Sequence, residues 1–567
     1  MELTDSRRLT GPSLVLDRPG AAAEISVTDR RDEALQLWRS HVRTLLNAVG
    51  WPDETMTTRA YAGGATVAIT APIDALYAAT EVVEAAWDRT VADLSDLPAP
   101  DHNATVERLR GEIADEINPA LLTLANAARS HAVTCLSDDE HVTLGLGRSS
   151  RSWPCDALPA PDKVDWGQVG DIPVALVTGT NGKSTTVRIA AAIGAAAGRT
   201  VGFSTSDWVR VGDTEIATGD YSGPEGARQA LRDQRVDMAV LETARGGLLR
   251  RGLPVSQAAA CLITNVASDH LGEYGIHDVD ALADTKFTVS KAVRTSGTLV
   301  LNADDPRLKS RGEVFPGQVA WYGLSLTPDD VPDTADAALV ANDQLCLLSQ
   351  GRITPLLPVA DFTPALGGAA AHNVSNALAA SLLMHSLGVA PDAIMRGLLD
   401  FENTPDSNPG RGNLIQVGGV TAMLDFAHNP HSLKALTQTL NSVPADRRLY
   451  LLGQGGDRSD EDIRRMTQVI REAEPDTIII KEIPSKLRGR EAGEVPALIR
   501  TFLDGMDYPR DDILTADSEL EAAIMALEWA RPGDLLVLLV YAERDETLAL
   551  IQRLQTENWQ AGQPVPH

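Results

Sequence analysis

The chain has 567 residues, 43% apolar and only 4% aromatic, and a net charge of −28. Its length calls for several cores, with three expected. Its acidity excludes a nucleic-acid partner, because a phosphate polymer would be repelled, and the absence of any apolar run near the roughly 20 residues a bilayer needs excludes a membrane span.

The N-terminus, Met1 to Gly20, carries charge throughout and lacks the apolar core of a signal peptide. The cysteines, Cys135, Cys155, Cys261 and Cys346, are too widely spaced for a disulfide framework or a zinc pattern. Free thiols in a reducing, cytoplasmic setting are expected. The first segment, 1–165, mixes strand-like pieces (Ala23 to Val27, Ala65 to Ile69) with helix-like ones (Asp32 to Val49, Ile73 to Val91, Asn103 to Ala132). It predicts an N-terminal α+β domain. The stretch Ser149 to Val164, rich in Ser, Pro and Asp, reads as a linker.

From 166 to 408 apolar strands alternate with helical stretches: Val174–Val177, Val201–Ser204, Met238–Leu241, Cys261–Thr264 and Thr298–Leu301. That rhythm predicts a mainly parallel sheet covered on both faces. Within it, Gly179-Thr180-Asn181-Gly182-Lys183-Ser184-Thr185 joins a buried strand to an Ala-rich helix, Thr186 to Ala197. Glycines let backbone N–H groups approach phosphate oxygens, and the helix N-terminus adds positive potential. Lys183 would reach the β- and γ-phosphates and the Ser184 hydroxyl would ligate Mg²⁺. The loop is a variant, since Val177 stands where the usual pattern has its first glycine.

Most other candidates end an apolar run, the edge where open parallel sheets bind ligands. Glu242 begins Glu-Thr-Ala-Arg-Gly-Gly and is either a magnesium ligand or a solvated strand end. His270, after the strand at Cys261, is either structural or a metal ligand, and Lys286 sixteen residues on sits in a helical stretch, Leu282 to Val293, as an ordinary helix lysine. Asn302 and Asp305 lie in Asn-Ala-Asp-Asp-Pro, a composition that also makes a plain turn. Asn373 begins an Ala/Leu helix, as a cap or as an adenine contact. Thr404 to Gly412, with two prolines and two glycines, reads as a hinge and contains Arg411.

From 409 to 567 the rhythm recurs at Thr421–Asp425, Leu449–Leu452, Thr477–Ile480 and Leu535–Val540. It predicts a smaller, Rossmann-like doubly wound domain. Asp425-Phe426-Ala427-His428-Asn429-Pro430 and Gly453 to Arg458 end two of these strands. The whole is expected to be α/β with three domains, the central one a P-loop ATPase domain.

As an ordered set these motifs resemble the Mur ligase superfamily, which includes the peptidoglycan-precursor amide ligases, folylpolyglutamate synthetase and the C-terminal half of the cyanophycin synthetases; it is that half which the chain resembles most. The matching stretches are Val177 to Thr186, Gly219 to Arg228, Val240 to Arg250, Thr264 to Gly275, Val300 to Pro306, His372 to Ala380 and Asp425 to Pro430, with Leu487-Arg488-Gly489-Arg490 and Gly493-Glu494. The resemblance runs from about Asp171 to Leu550. It implies that Gly179 to Thr185 cradle ATP phosphates, that Lys183 is the phosphate lysine, and that Ser184 (or Thr185), Glu242 and His270 hold Mg²⁺. It further implies that Lys286 is carried as a carbamate for a second Mg²⁺, and that Asn302, Asp305 and Asn373 hold adenine or ribose. Arg411 and Asp425 would reach the nucleotide when the domains close, and His428 and Asn429 belong to the same motif.

The implied reaction is phosphorylation of a carboxylate by ATP, then attack of an amine on the acyl phosphate to give an amide and ADP. Arginine or another amino acid is the implied donor, and an amino-acid or peptide carboxylate the acceptor. Asp457, Asp460 and Glu461 could recognise a guanidinium or simply start a helix. Cyanophycin synthetases also carry an ATP-grasp module. The 178 or so residues before the phosphate loop hold no second nucleotide loop, and such a module needs roughly 200. A separate ATP-grasp ligase is therefore an expected partner, 1–165 would be a substrate-binding domain, and a homo-oligomer is compatible with the sequence. A P-loop kinase or ATPase, and a non-catalytic nucleotide-binding scaffold, are the competing readings.

Overall fold

The computed structural model describes residues 1–95 and 97–566. It contains two compact units, one of Met1–Ala267, Leu271–Leu357 and Asn376–Leu398, the other of Ser268–His270, Pro358–Ser375 and Leu399–His567.

In the first unit, β1 (Glu2–Leu9), β2 (Gly20–Ser26), β3 (Met56–Tyr61) and β4 (Gly64–Thr70) form an antiparallel sheet in the order β1-β2-β4-β3. The helix Arg31–Val49 repeats apolar residues at Leu35, Trp38, Val42 and Leu46, a single helical face. That face shares one core with the helix Leu76–Leu94 and with Ala23, Ile25, Val67 and Ile69 of the sheet. The stretch Asn103 to Ala132 is two helices, His102–Glu116 and Pro119–Ser130. Pro119 cannot continue a helix but suits its first position, and the Asn118 side chain caps the second helix by accepting from Leu121 N–H.

The expected linker is built structure. β5 (Cys135–Ser137), β6 (His141–Leu144) and β7 (Arg151–Pro154) form a small antiparallel sheet. Trp153, Leu158 and Trp166 pack with Leu121, Leu124 and Val142. Serines and prolines there conceal the anchoring tryptophans in any compositional reading.

The large sheet has eleven strands: β8 (Val174–Thr178), β9 (Val201–Ser204), β10 (Trp208–Val211), β11 (Thr214–Thr218), β12 (Met238–Glu242), β13 (Ala258–Ile263), β14 (Val293–Asn302), β15 (Gln318–Gly323), β16 (Ala337–Ala341), β17 (Gln344–Ser349) and β18 (Arg352–Pro358). The order is β11-β10-β9-β12-β8-β13-β14-β15-β16-β17-β18, parallel from β9 through β16. β10 and β11 extend one side as an antiparallel ribbon. Registers Glu242↔Val177, Ile263↔Thr178 and Ile263↔Leu301 bring the carboxyl ends of β12, β8, β13 and β14 level with one another.

The second unit holds β19 (Arg411–Val417), β20 (Val420–Asp425), β21 (Arg448–Leu452), β22 (Thr477–Lys481), β23 (Ile513–Ala516) and β24 (Leu535–Leu539), ordered β19-β20-β24-β21-β22-β23. The pairings are parallel except β19 with β20. Helices Pro430–Leu440, Asp460–Glu472 and Glu494–Gly505 cover one face, and Glu519–Trp529 and Arg544–Thr556 the other. The expected hinge is cross-braced. Asn403 donates to the Arg411 and Gly412 carbonyls at 2.9 and 3.0 Å, Asn408 donates to Asn403 at 2.6 Å, and Asn413 donates to the Asn403 and Asn408 carbonyls at 3.1 Å each. Among the described residues no helix is long and apolar enough to cross a membrane.

Candidate nucleotide and metal site

The phosphate-type loop leaves β8 at Gly179, whose φ of +143° and whose neighbour allow no side chain: a Cβ there would lie 1.8 Å from Thr264 Oγ1. Gly182, at φ +82°, ends the loop, and a Cβ would lie 2.2 Å from Asn376 Oδ1. The helix Lys183–Ala196 begins at the next residue. The β13 edge fixes the loop's shape. Thr180 N–H donates to Asn265 O at 2.8 Å, Asn181 N–H to Asn265 Oδ1 at 3.0 Å, and Thr264 Oγ1 to Asn181 O at 2.6 Å. Thr180 Oγ1 donates to Ala267 O at 3.2 Å. Asn265, Ser206 and Asn376 were not singled out from sequence; Asn376 lies in the same quoted motif as Asn373, but no local pattern says which asparagine faces the loop.

Glu242 ends β12 and is 3% exposed. Its Oε2 accepts the Ser184 hydroxyl at 2.8 Å, and its Oε1 lies 4.0 Å from Lys183 Nζ. Ser206 Oγ is 3.2 Å from Ser184 Oγ. Lys183 Nζ donates to Thr180 O at 3.0 Å, so the lysine lies over its own loop. Two hydroxyls and a carboxylate are hard oxygen donors, and this set fits Mg²⁺. Lys286, 3% exposed, donates to Gly179 O at 2.8 Å, which brings it to the first residue of the same loop.

Asn302 and Asp305 brace this edge. Asn302 donates to Thr264 O at 3.0 Å. Asp305 accepts from Val266 N–H at 2.7 Å and caps the helix Pro306–Glu313 through Arg307 N–H at 3.0 Å.

The second unit contains the remaining candidates. Asn373 donates to Pro364 O at 2.9 Å. His270, at φ +49°, groups with Asp269, His428 and Arg458 of the same unit. Arg458 donates to Asp269 Oδ1 at 2.8 Å and faces His270 Nε2 at 3.2 Å; His428 Nε2 is 3.6 Å from Asp269 Oδ2. Burial pushes the Asp269 carboxyl up, but the hydrogen bond from His428 and the charges of His428, His270 and Arg458 outweigh it and hold the group well below the usual carboxylate range. One potential ligand atom each from Asp269, His270 and His428 lies within 4.8 Å of the others. The Arg458 partnership is a contact between residues 188 positions apart, beyond any local motif.

The acids weighed for guanidinium recognition are already paired. Arg488 holds Asp457 at 2.9 Å, Arg490 holds Asp460 at 2.6 Å, and Arg464 and Arg465 hold Glu461 at 2.7 and 2.8 Å. Asp460 and Glu461 sit in the first turn of the helix Asp460–Glu472, capped by Ser459, while Asp457 lies before it.

Arg411 stacks its guanidinium 4.8 Å over the Phe426 ring, and Asp425 Oδ1 accepts from Ala427 N–H at 2.7 Å. Burial raises the Asp425 carboxyl to about 6, against the lowering charge of Arg411. In the unfolded chain this carboxyl ionises near 4, so between pH 4 and 6 folding takes up a proton and native stability falls as pH rises. Asp425→Asn should therefore be about 3 kcal/mol more stable than wild type at pH 7.5, with most of the difference gone at pH 4. Urea melts at the two pH values check this.

The Mur ligase middle domain model matches residues 177–384, and the Mur ligase, glutamate ligase domain model matches 410–539. The cyanophycin synthetase of Trichormus variabilis (strain ATCC 29413 / PCC 7937) is 36% identical over 379 residues, 66% of this chain and 41% of that protein. The chain thus spans about two-fifths of the length of that relative. The UDP-N-acetylmuramoyl-L-alanyl-D-glutamate--2,6-diaminopimelate ligase of Geobacter metallireducens (strain ATCC 53774 / DSM 7210 / GS-15) is 27% identical over 391 residues, 65% of this chain and 73% of that one. The crystal structure of a bifunctional folylpolyglutamate synthase/dihydrofolate synthase, holding Mn, AMPPNP and L-glutamate, superposes with a TM-score of 0.51 at 20% identity over 67% of this chain and 89% of that one, a likeness of fold.

Proposed function

Because the chain belongs to the Mur ligase superfamily and carries its middle and glutamate ligase domains, we propose that it is an ATP-dependent ligase joining a carboxylate to an amine with release of ADP. The convergence of Lys183, Ser184 and Glu242 at the mouth of the glycine loop carries this reading. ATP phosphates lie along the loop N–H groups, and Lys183 turns from Thr180 O to meet them. Ser184 and Glu242 would hold Mg²⁺, which would offset charge on the transferring phosphoryl group. Lys286, as a carbamate, is assigned to a second ion, and Asn302 and Asp305 to the nucleoside.

A carboxylate oxygen attacks the γ-phosphorus and ADP departs. The amine then attacks the acyl carbon, phosphate leaves with the C–O electron pair, and the amine loses a proton. The likeness to cyanophycin synthetases supports an amino-acid or peptide carboxylate as acceptor and an amino acid as donor. Since Asp457, Asp460 and Glu461 are paired internally, a donor guanidinium would have to displace an arginine to use them.

An ADP-release screen of amino acids against carboxylate acceptors tests the proposal. The expected result is ADP release that depends on both partners, with a product mass equal to their sum less water. ADP release without an amine, and with no amide, would instead support a kinase or ATPase.

A further inference from the structure

The chain between Leu271 and His277 turns through backbone that most side chains avoid: Gly272, Tyr274 and Gly275 have φ of +103°, +53° and +67°. Gly272 N–H closes the turn on Ile276 O at 2.7 Å, and Ile276 N–H on Glu273 O at 3.0 Å. Left-handed conformation in a residue such as Tyr274 costs roughly 1–2 kcal/mol, so the turn needs support from outside itself. It matters because it runs straight into the helix Val279–Phe287, capped by Asp278, which carries Lys286 to Gly179 O.

The N-terminal sheet supplies that support. Arg59 of β3 forks, with Nη1 donating to Tyr274 O at 3.3 Å and Nη2 to Gly275 O at 3.1 Å. Arg7 of β1 lies 4.7 Å over the Tyr274 ring. Tyr61 packs so closely on Gly275 that a Cβ there would lie 2.1 Å from its ring. These side chains are themselves held. Glu24, 4% exposed, accepts from Arg7 at 2.7 Å, Tyr61 at 2.8 Å and Thr66 at 2.9 Å, while Arg7 Nε donates to Leu249 O at 2.8 Å. A buried carboxylate collecting this many donors fixes a geometry, because each donor would be costly to strand.

We propose that the N-terminal sheet is a brace for the nucleotide site, with Arg59 a positioning residue that holds the 271–277 turn and through it places Lys286 against the glycine loop. The inference rests on the reading of Gly179 to Thr185 as a nucleotide loop. It gives the N-terminal domain a role in catalysis whether or not it also binds substrate.

The test compares the full chain with Arg59→Ala and Arg59→Lys by amide hydrogen exchange and by ADP release. Arg59→Ala should speed exchange of the Gly272 and Ile276 amides by about tenfold or more and lower kcat by about tenfold, with KM for ATP within about threefold. Arg59→Lys, which keeps the charge but loses the fork, should fall between. Unchanged exchange in Arg59→Ala, faster exchange at unchanged kcat, or a change confined to KM would overturn the proposal. Should Arg59→Ala fail to fold, the Arg59→Lys comparison decides by the same readouts. If wild type makes no amide the ligase reading falls, and the exchange data alone still judge the brace.

Discussion

Glu242→Gln should reduce ATP turnover by about 10²–10³-fold, the usual cost of losing one preorganised electrostatic contact at a transferring group. The residue sits at the end of β12, in register with Val177 of β8, and its carboxylate is the only element of the Ser184–Glu242–Lys183 constellation that carries negative charge. Glutamine preserves size and can still accept the Ser184 hydroxyl, so the loss isolates charge from packing. Because the carboxylate is 3% exposed and, among the described residues, pairs only with Lys183 at 4.0 Å, its desolvation penalty disappears with the charge. Stability should therefore stay level or rise while activity falls. The concentration of Mg²⁺ needed for half activation should rise at least about tenfold, since a hard cation is held weakly by a neutral amide. ADP release across a Mg²⁺ series, with a thermal melt alongside, reads both quantities. Turnover within about threefold of wild type would remove Glu242 from the mechanism and with it the metal role of Ser184.

The same physics explains what the sequence discloses. Strands buried on both faces must be apolar runs, so Val174–Val177, Met238–Leu241 and Cys261–Thr264 stand out and the parallel centre of the large sheet is legible. The antiparallel ribbon β10–β11 is short, with Thr214, Glu215 and Ile216 exposed, and it leaves no such run. The glycine loop is legible because few contexts need Gly179, Gly182 and Lys183 in that order. The roles of Asn302 and Asp305 are less so: the structure commits both to backbone bonds of the β13 edge, where a turn-rich composition and a ligand motif look alike. His270 is legible as the residue after a strand, but its company of Asp269, His428 and Arg458 depends on long-range folding. The bracing of 404–412 is likewise invisible locally, because Asn403 and Asn413, which supply it, flank the stretch whose prolines and glycines read as a hinge.

Glu519→Ala should destabilise the protein by about 3–5 kcal/mol, the cost of stranding one member of a buried ion pair. Lys481 ends β22 and Glu519 begins the helix Glu519–Trp529; both are 0% exposed and their charged ends are in contact. Burial pushes the Lys481 ammonium down while Glu519 opposes it, and for Glu519 burial pushes the carboxyl up but the lysine and the backbone donors together outweigh it, leaving the carboxyl low. The carboxylate also collects three backbone N–H groups of the loop after β24, from Tyr541 at 2.9 Å, Ala542 at 2.5 Å and Glu543 at 2.9 Å. Alanine would leave those donors and the ammonium without their acceptor. The damage should spread, because the Tyr541 hydroxyl donates to Ala427 O beside His428 and Lys486 donates to Tyr541 O. Lys481→Met together with Glu519→Gln should recover at least half of the loss, since the amide still accepts from the loop and no charge remains buried. Urea unfolding of Lys481→Met, Glu519→Gln and their double closes the cycle, with Glu519→Ala melted alongside, and additive effects would mean that Lys481 and Glu519 act independently.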